Sequence, residues 1–347
     1  MARPDLTVRG AGIFGLSIAW EAARRGARVR VIETARIGAG SSGGLVGALA
    51  PHVPGQWNDK KAFQLDSLLM AEAFWAAVDA GSGLASGYAR TGRLQPLADE
   101  RAVAAARARG AEADILWQGR AVWQVVPAAG AGGWQPDSPT GWLVHDTLSA
   151  RINPRAALSS LAGAIRARGG DIGPDDGDVR GPVIWATGTA GLEALSADQG
   201  RPAGGGVKGQ AALLAHDASA HPQLLIDGLH IVPHGNGTVA IGSTSERTWS
   251  DPVATDDRLE ALIRRAGAAC PALAGAAVLE RWAGLRPRAA TRAPMLGAWP
   301  GRDGQFIANG GFKTGFGMAP KVARVMADLV LDQTDRIPPA LRVEASL

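Results

Sequence analysis

The stretch Leu6-Thr7-Val8-Arg9-Gly10-Ala11-Gly12-Ile13-Phe14-Gly15 runs from a short β-branched segment into the spacing Gly10-x-Gly12-x-x-Gly15. A helical pattern follows through Leu16, Ile18, Ala19, Trp20, Ala22 and Ala23. Strand, glycines and helix in that order are what a dinucleotide fingerprint requires. Gly10 suits the tight turn, Gly12 lets backbone approach a pyrophosphate, and Gly15 lets helix and strand pack closely. The first-turn amides of the helix then face the phosphates, and Ala11, Ile13 and Phe14 are expected among the cofactor-binding residues. A second strand, Ala27-Arg28-Val29-Arg30-Val31-Ile32, ends at Glu33, about twenty residues past the glycines. A carboxylate there can accept both ribose hydroxyls and would repel a 2′-phosphate. Thr34 and Ala35 follow it at the same edge. The alternative is a glycine-rich turn that binds nothing.

The rest of the chain bounds the answer. Its 347 residues allow two domains and a large core, and 46% hydrophobic with 20% charged residues describes an ordinary globular protein. The net charge of +4 is spread out, with no basic run longer than a pair such as Lys60-Lys61 or Arg264-Arg265. Nucleic-acid binding gains no support from charge. One cysteine, Cys270, leaves no intramolecular disulfide and no cysteine-built metal site, and no metal is expected. No apolar run approaches the roughly 20 residues of a membrane span. With no signal peptide expected before the first strand, the cytoplasm is the expected location.

After Glu33 comes a run of small residues, Gly38-Ala39-Gly40-Ser41-Ser42-Gly43-Gly44, and then Gly47-Ala48-Leu49-Ala50-Pro51-His52. It is either a flexible loop or backbone pressed against a bulky flat ligand, where only Gly, Ser and Ala permit approach. Together with the N-terminal glycines and the acidic end of the second strand, this segment resembles the D-amino-acid oxidase family of FAD-dependent amine oxidoreductases. The resemblance implies that Gly40, Ser41, Ser42, Gly43, Gly44 and Ala48 run along the diphosphate and isoalloxazine of FAD. Val183-Ile184-Trp185-Ala186-Thr187-Gly188 is similar to the family's second nucleotide-side strand, a hydrophobic run ending in Ala186-Thr187-Gly188. Family members place several strands before it, whereas only Asp171 to Pro182 separates it here from the preceding helix, so the chain looks trimmed.

Arg281-Trp282-Ala283-Gly284-Leu285-Arg286-Pro287 resembles the family's W-x-G-x-R-P segment. The resemblance implies that Arg286 grips a substrate carboxylate beside the flavin, and a planar guanidinium matches a carboxylate with two parallel hydrogen bonds. A structural ion pair is the other reading of Arg286. Gly310-Gly311-Phe312-Lys313-Thr314-Gly315-Phe316-Gly317 opens another helical pattern, and a glycine-rich helix start offers amides at a positive dipole end. By resemblance Gly311 to Gly317 meet the pyrimidine edge of the flavin. Lys313 is then either a second cation near the substrate or a solvated loop lysine. His52 and His234 are candidates for tuning amine protonation, against plain structural roles. Relatives commonly set a tyrosine hydroxyl beside the arginine. The sole tyrosine here, Tyr88, lies early in the substrate region, so the carboxylate clamp is incomplete and the substrate need not be an ordinary amino acid. Covalently flavinylated relatives carry a cysteine just past the arginine segment or a histidine in the early loop. Cys270 lies before that segment and no histidine occurs between Gly38 and Pro51, which implies non-covalent FAD.

The fold expected is α/β: a Rossmann-like FAD-binding domain from 1–80, 142–205 and 282–347, with an inserted antiparallel-sheet substrate domain from 81–141 and 206–281. Helices are expected over Lys61–Val78, Asp99–Arg109, Asn153–Arg168 and Asp256–Ala269, with a loop over Gly130–Gly141. Asp227-Gly228 and Asn236-Gly237 signal hairpin turns. Trp117, Trp123, Trp134 and Trp142 read as core. The expected reaction is oxidation of the C–N bond of a small amino acid or secondary amine to an imine, with hydride passing to flavin and oxygen or another acceptor taking the electrons. A modified wobble uridine of tRNA as substrate, a flavoprotein without turnover, and a plain NAD-binding Rossmann protein are the alternatives. Nothing in the sequence sets the oligomeric state.

Overall fold

Strand β1 (Leu6–Arg9) leads into helix α1 (Ile13–Arg24) and β2 (Val29–Ile32), followed by β3 (Ala48–Leu49) and the long α2 (Asp59–Ser82). Next come β4 (Arg93–Pro96), α3 (Glu100–Leu116), β5 (Trp123–Pro127), β6 (Trp142–Asp146), β7 (Ala150–Arg151) and α4 (Pro154–Ala167). The chain continues through β8 (Asp171–Gly173), β9 (Val183–Trp185), α5 (Gly188–Gln199), β10 (Gly204–Ala215), β11 (Gln223–Ile226), β12 (Leu229–Pro233) and β13 (Thr238–Gly242). It ends with α6 (Asp257–Ala269), β14 (Val278–Ala289), β15 (Met295–Ala298), β16 (Gln305–Asn309) and α7 (Gly315–Leu331). The structure, a computed structural model, describes residues 4–128, 133–174, 177, 179 and 181–347. Residues 130–132 of the expected loop, and 175, 176, 178 and 180 in the stretch before β9, lie outside the described residues.

Two sheets carry the architecture. The first has the order β15-β16-β9-β1-β2-β8, parallel throughout except for the edge pair β15/β16. The apolar faces of α1, α2, α4 and α7 share one core with it, around Leu6, Val8, Leu16, Trp20, Trp75, Leu161 and Val322. The second sheet has the order β14-β10-β13-β12-β11-β4-β6-β5 and is antiparallel save for β4 beside β11. Helix α6 covers part of it through Leu259, Leu262 and Ala266, which pack with Leu224, Ile231 and Ile241. The mixed α/β fold is the one the sequence implies. Helix α3 runs seven residues beyond the expected Arg109, because alanine-rich sequence with good helix formers continues past Gly110.

Sheet membership moves two boundaries from where the sequence reading put them. Trp142–Asp146 pairs with β4 and β5 in the second sheet, although 142 was assigned to the first domain. Val278–Ala289 pairs along β10 from Gly204↔Ala289 to Leu214↔Val278, so the arginine segment belongs to the second sheet and not to a domain beginning at 282. Arg286 therefore sits on the sheet facing the first domain's strand ends.

The turn after β1 depends on close packing. A Cβ on Gly15 would lie 1.9 Å from the carbonyl oxygen of Gly10, which only glycine avoids. Gly15→Ala is expected to cost about 1–3 kcal/mol through overpacking and to lower Tm by several degrees. Gly205→Ala, where an added Cβ meets nothing within 4 Å, is the control expected to leave Tm nearly unchanged. Equal Tm losses in the two variants would contradict this packing account.

Candidate active site

A cavity of about 810 Å³ lies between the two sheets, towards the upper end of the ~300–1,000 Å³ common for small-molecule sites. Of the residues the sequence singled out, Gly10, Gly12, Ile13, Phe14, Glu33, Thr34, Gly40, Ser41, Ser42, Gly44, Ala48, His52, Ala186, Thr187, Gly188, Arg286, Gly311, Phe312, Lys313, Thr314, Gly315, Phe316 and Gly317 line it. Ala11, Gly15, Ala35 and Gly43 do not. Ala11 and Ala35 act from behind: their amides donate to the Glu33 carboxylate at 2.9 and 3.0 Å, fixing it at the cavity wall. The Gly43 carbonyl accepts from Arg155 Nε, tying the small-residue segment to α4. His234 is buried at 3% exposure away from the cavity, and Tyr88 is also outside it.

Three helices begin at this cavity, and their starts differ from the others. The first turns of α1, α5 and α7 contribute lining residues. None has a side-chain hydrogen bond from its N-cap residue, which is Gly12, Thr187 and Thr314 respectively. The other four helices are each capped, by Asn58, Asp99, Asn153 and Asp256, and of these only α4 brings its first turn to the cavity, through Pro154. Capping side chains normally satisfy the first amides of a helix. Their omission at three starts around one cavity leaves positive dipole ends and amide donors for an anionic ligand. At α1 the Ile13 amide donates to Ser42 Oγ at 3.0 Å, which pins the small-residue loop across the turn. Glu33 is the carboxylate that lines the cavity among the described residues, beside α1, where a ribose would meet it. The donor set fits a flavin dinucleotide: bare helix starts for phosphates, an acid for ribose hydroxyls, and small residues for a flat ring.

The opposite end is cationic. Arg286 is 8% exposed, and burial pushes its guanidinium down to about 10 against a smaller opposing pull from Glu246. Its Nη1 donates to the Thr244 carbonyl at 3.2 Å, and it has no carboxylate partner among the described residues. Its seat is cut into β10: a Cβ on Gly209 would lie 1.8–2.2 Å from the guanidinium atoms. Lys313 is accessible along the cavity, yet the protein around it, and then the charge of Arg286, lower its ammonium below the ordinary lysine value. His52 donates its backbone amide to Gln64 Oε1 at 2.7 Å, and its ring also contacts that oxygen; burial holds it below the usual histidine range.

Two residues at this end escaped the sequence reading. Arg93 lines the cavity but is ion-paired to Asp146 at 2.9 Å, both side chains being buried. His230 lines it as well; burial, then the charges of Arg93, Lys313 and Arg286, press its ring down to about 4. They come together because β4 pairs in parallel with β11, some 130 residues away, and β11 pairs in turn with β12, which carries His230; no local pattern announces the first of these pairings. Trp282 lies over Gly44 and Gly284, closing the wall between the loop and β14.

Fold and cavity together define a flavin-dependent oxidoreductase. The chain matches the DAO family, FAD dependent oxidoreductase, over residues 5–329 and belongs to it. Glycine oxidase of Pseudomonas aeruginosa is 35% identical over 135 residues, which is 39% of this chain and 37% of that one. Glycine oxidase of Geobacillus kaustophilus is 25% identical over 94% of this chain and 93% of its own length. The crystal structure of glycine oxidase from Geobacillus kaustophilus aligns with a TM-score of 0.82 at 21% identity, covering 98% of both chains. The protein is accordingly an FAD-dependent oxidoreductase. No helix among the described residues is long and apolar enough to cross a membrane.

The geometry makes two predictions. Gly209→Ala displaces the Arg286 guanidinium, so KM for a carboxylate-bearing substrate rises about tenfold or more while FAD content stays at the wild-type level; an unchanged KM would contradict the seat. His234 has both ring nitrogens buried without partners among the described residues, and its ring is pressed down to about 4, chiefly by burial. Its folded pKa lies below the ordinary 6.5, so the unfolded chain binds the proton and stability falls as pH drops from 6.5 towards 4. At pH 5 the loss amounts to about 2 kcal/mol. His234→Leu removes that contribution, so its Tm, measured between pH 7 and 5, falls less than that of the wild type.

Proposed function

We propose that this protein oxidises the C–N bond of a small amino acid or secondary amine to an imine, with Arg286 anchoring the substrate carboxylate and FAD held without a covalent bond. The observation that carries the reading is Arg286 itself: a nearly buried guanidinium without a carboxylate partner among the described residues, in the cavity where three bare helix starts converge. The glycine oxidase names of its relatives support a small amino acid. When bound, FAD supplies the acceptor for the hydride, and oxygen or another acceptor then takes the electrons.

The chain's own contribution is binding and orientation. Glu33 holds ribose hydroxyls, and the starts of α1, α5 and α7 offer amides to the anionic parts of the cofactor. Arg286 fixes the carboxylate and thereby the α-carbon next to it, which converts an encounter into an oriented contact. The field of Arg286 and Lys313 disfavours a bound ammonium and favours the neutral amine, the form able to release hydride. The position of Cys270, fully buried in the core under α6 and away from the cavity, supports non-covalent attachment.

Steady-state turnover of glycine, sarcosine, D-alanine and D-proline tests the reading, with Arg286→Met beside the wild type. Loss of a bidentate charge-assisted pair is expected to lower kcat/KM by about 100-fold, mostly through KM. Acid denaturation should release all the flavin into the supernatant. Turnover insensitive to Arg286→Met, or flavin that stays with the precipitate, would sink the corresponding part.

A further inference from the structure

The charges at the substrate end do not balance for a monocarboxylate. Arg93 already has Asp146, and Glu246 is engaged behind the wall by Arg258 at 2.7 Å, Gln210 and Thr244. Arg286 and Lys313 both line the cavity, and neither has a carboxylate partner among the described residues. The Phe312 amide donates to the Pro287 carbonyl at 3.0 Å, which sets the chain at Lys313 beside the chain at Arg286. One carboxylate neutralises one of them. The cavity's own acid, Glu33, is committed at the α1 end by the amides of Ala11 and Ala35. His230 lines the same region of the cavity. No tyrosine hydroxyl lines the cavity to reinforce Arg286 on a single carboxylate.

Building on the proposed amine oxidation, we propose that the preferred substrate is a dianionic amine, carrying one carboxylate for Arg286 and a second acid group for Lys313, with His230 beside the second group. A secondary amine with a carboxymethyl arm on each side of nitrogen is one compound of this class. The oxidised bond is then a C–N bond of one arm, and the other arm serves as a handle. A cationic site recognises such a molecule by charge count before any detail of shape, since a missing acid leaves an unpaired ammonium against Arg286.

The test uses the FAD-loaded protein and a matched pair of unreactive acids: thiodiglycolate, with two carboxylates, and (methylthio)acetate, with one. Binding is read from the perturbation of the flavin's visible spectrum. The diacid is expected to bind about tenfold tighter or better, with the advantage falling to about twofold in Lys313→Met and largely retained in Lys313→Arg. Turnover of iminodiacetate over sarcosine should show the same ratio and the same dependence on residue 313. Equal affinities in the wild type, or an advantage that survives Lys313→Met, would overturn the proposal. So would loss of FAD from Lys313→Met, which would assign the ammonium to the cofactor. Those results leave the amine-oxidase reading standing. If neither acid perturbs the spectrum and no amine is turned over, both readings fall together.

Discussion

A helix cannot satisfy its own first amides, and among the α-helices of the described residues those without an N-cap side-chain bond all start at the cavity. The other four helices take an Asn or Asp side chain to close their ends, whereas α1, α5 and α7 begin at the cavity with Gly12, Thr187 and Thr314 and no cap bond. Each omission forgoes on the order of 1 kcal/mol of helix stability. The strand order of the first sheet brings β9 and β1 side by side, so the starts of α5 and α1 are neighbours. Much else serves that arrangement: the close fit of Gly15 on Gly10, the Ser42 bridge to Ile13, and the clasp of Glu33 on the turn.

The second sheet supplies the opposite pole. Its strand β14 runs antiparallel to β10 for most of its length and delivers Arg286 onto the bare backbone of Gly209. The Thr244 carbonyl orients the guanidinium, and Glu246, held by its own network, adjusts the field from behind. Cofactor and substrate are thus received by different physics, with backbone dipoles at one end and side-chain cations at the other. Neither sheet alone forms the site.

What the sequence made legible was local. The glycine spacing, the acid at the end of β2, the Asn153-Pro154 helix entry and the hairpin turn at Asp227-Gly228, both residues at positive φ, each express a rule operating within a few residues. The small-residue loop was also readable as a place of close approach, and Gly40, Ser41, Ser42 and Gly44 line the cavity. Pairings across distant chain segments were not. Nothing near Trp142 or Val278 says which sheet those strands join, because their alternating patterns suit either. Arg93 and His230 were missed for the same reason, and α5, β15 and β16 carry short, weakly periodic sequences that a strand-and-helix reading passed over.

The central claim is that this cavity brings a flavin and a carboxylate-bearing amine together. The most direct measurement is the visible spectrum of the purified protein before and after adding glycine, sarcosine or iminodiacetate without oxygen. The account predicts a yellow protein whose flavin bands bleach with at least one of these amines. A colourless protein that cannot be reconstituted with FAD would contradict it.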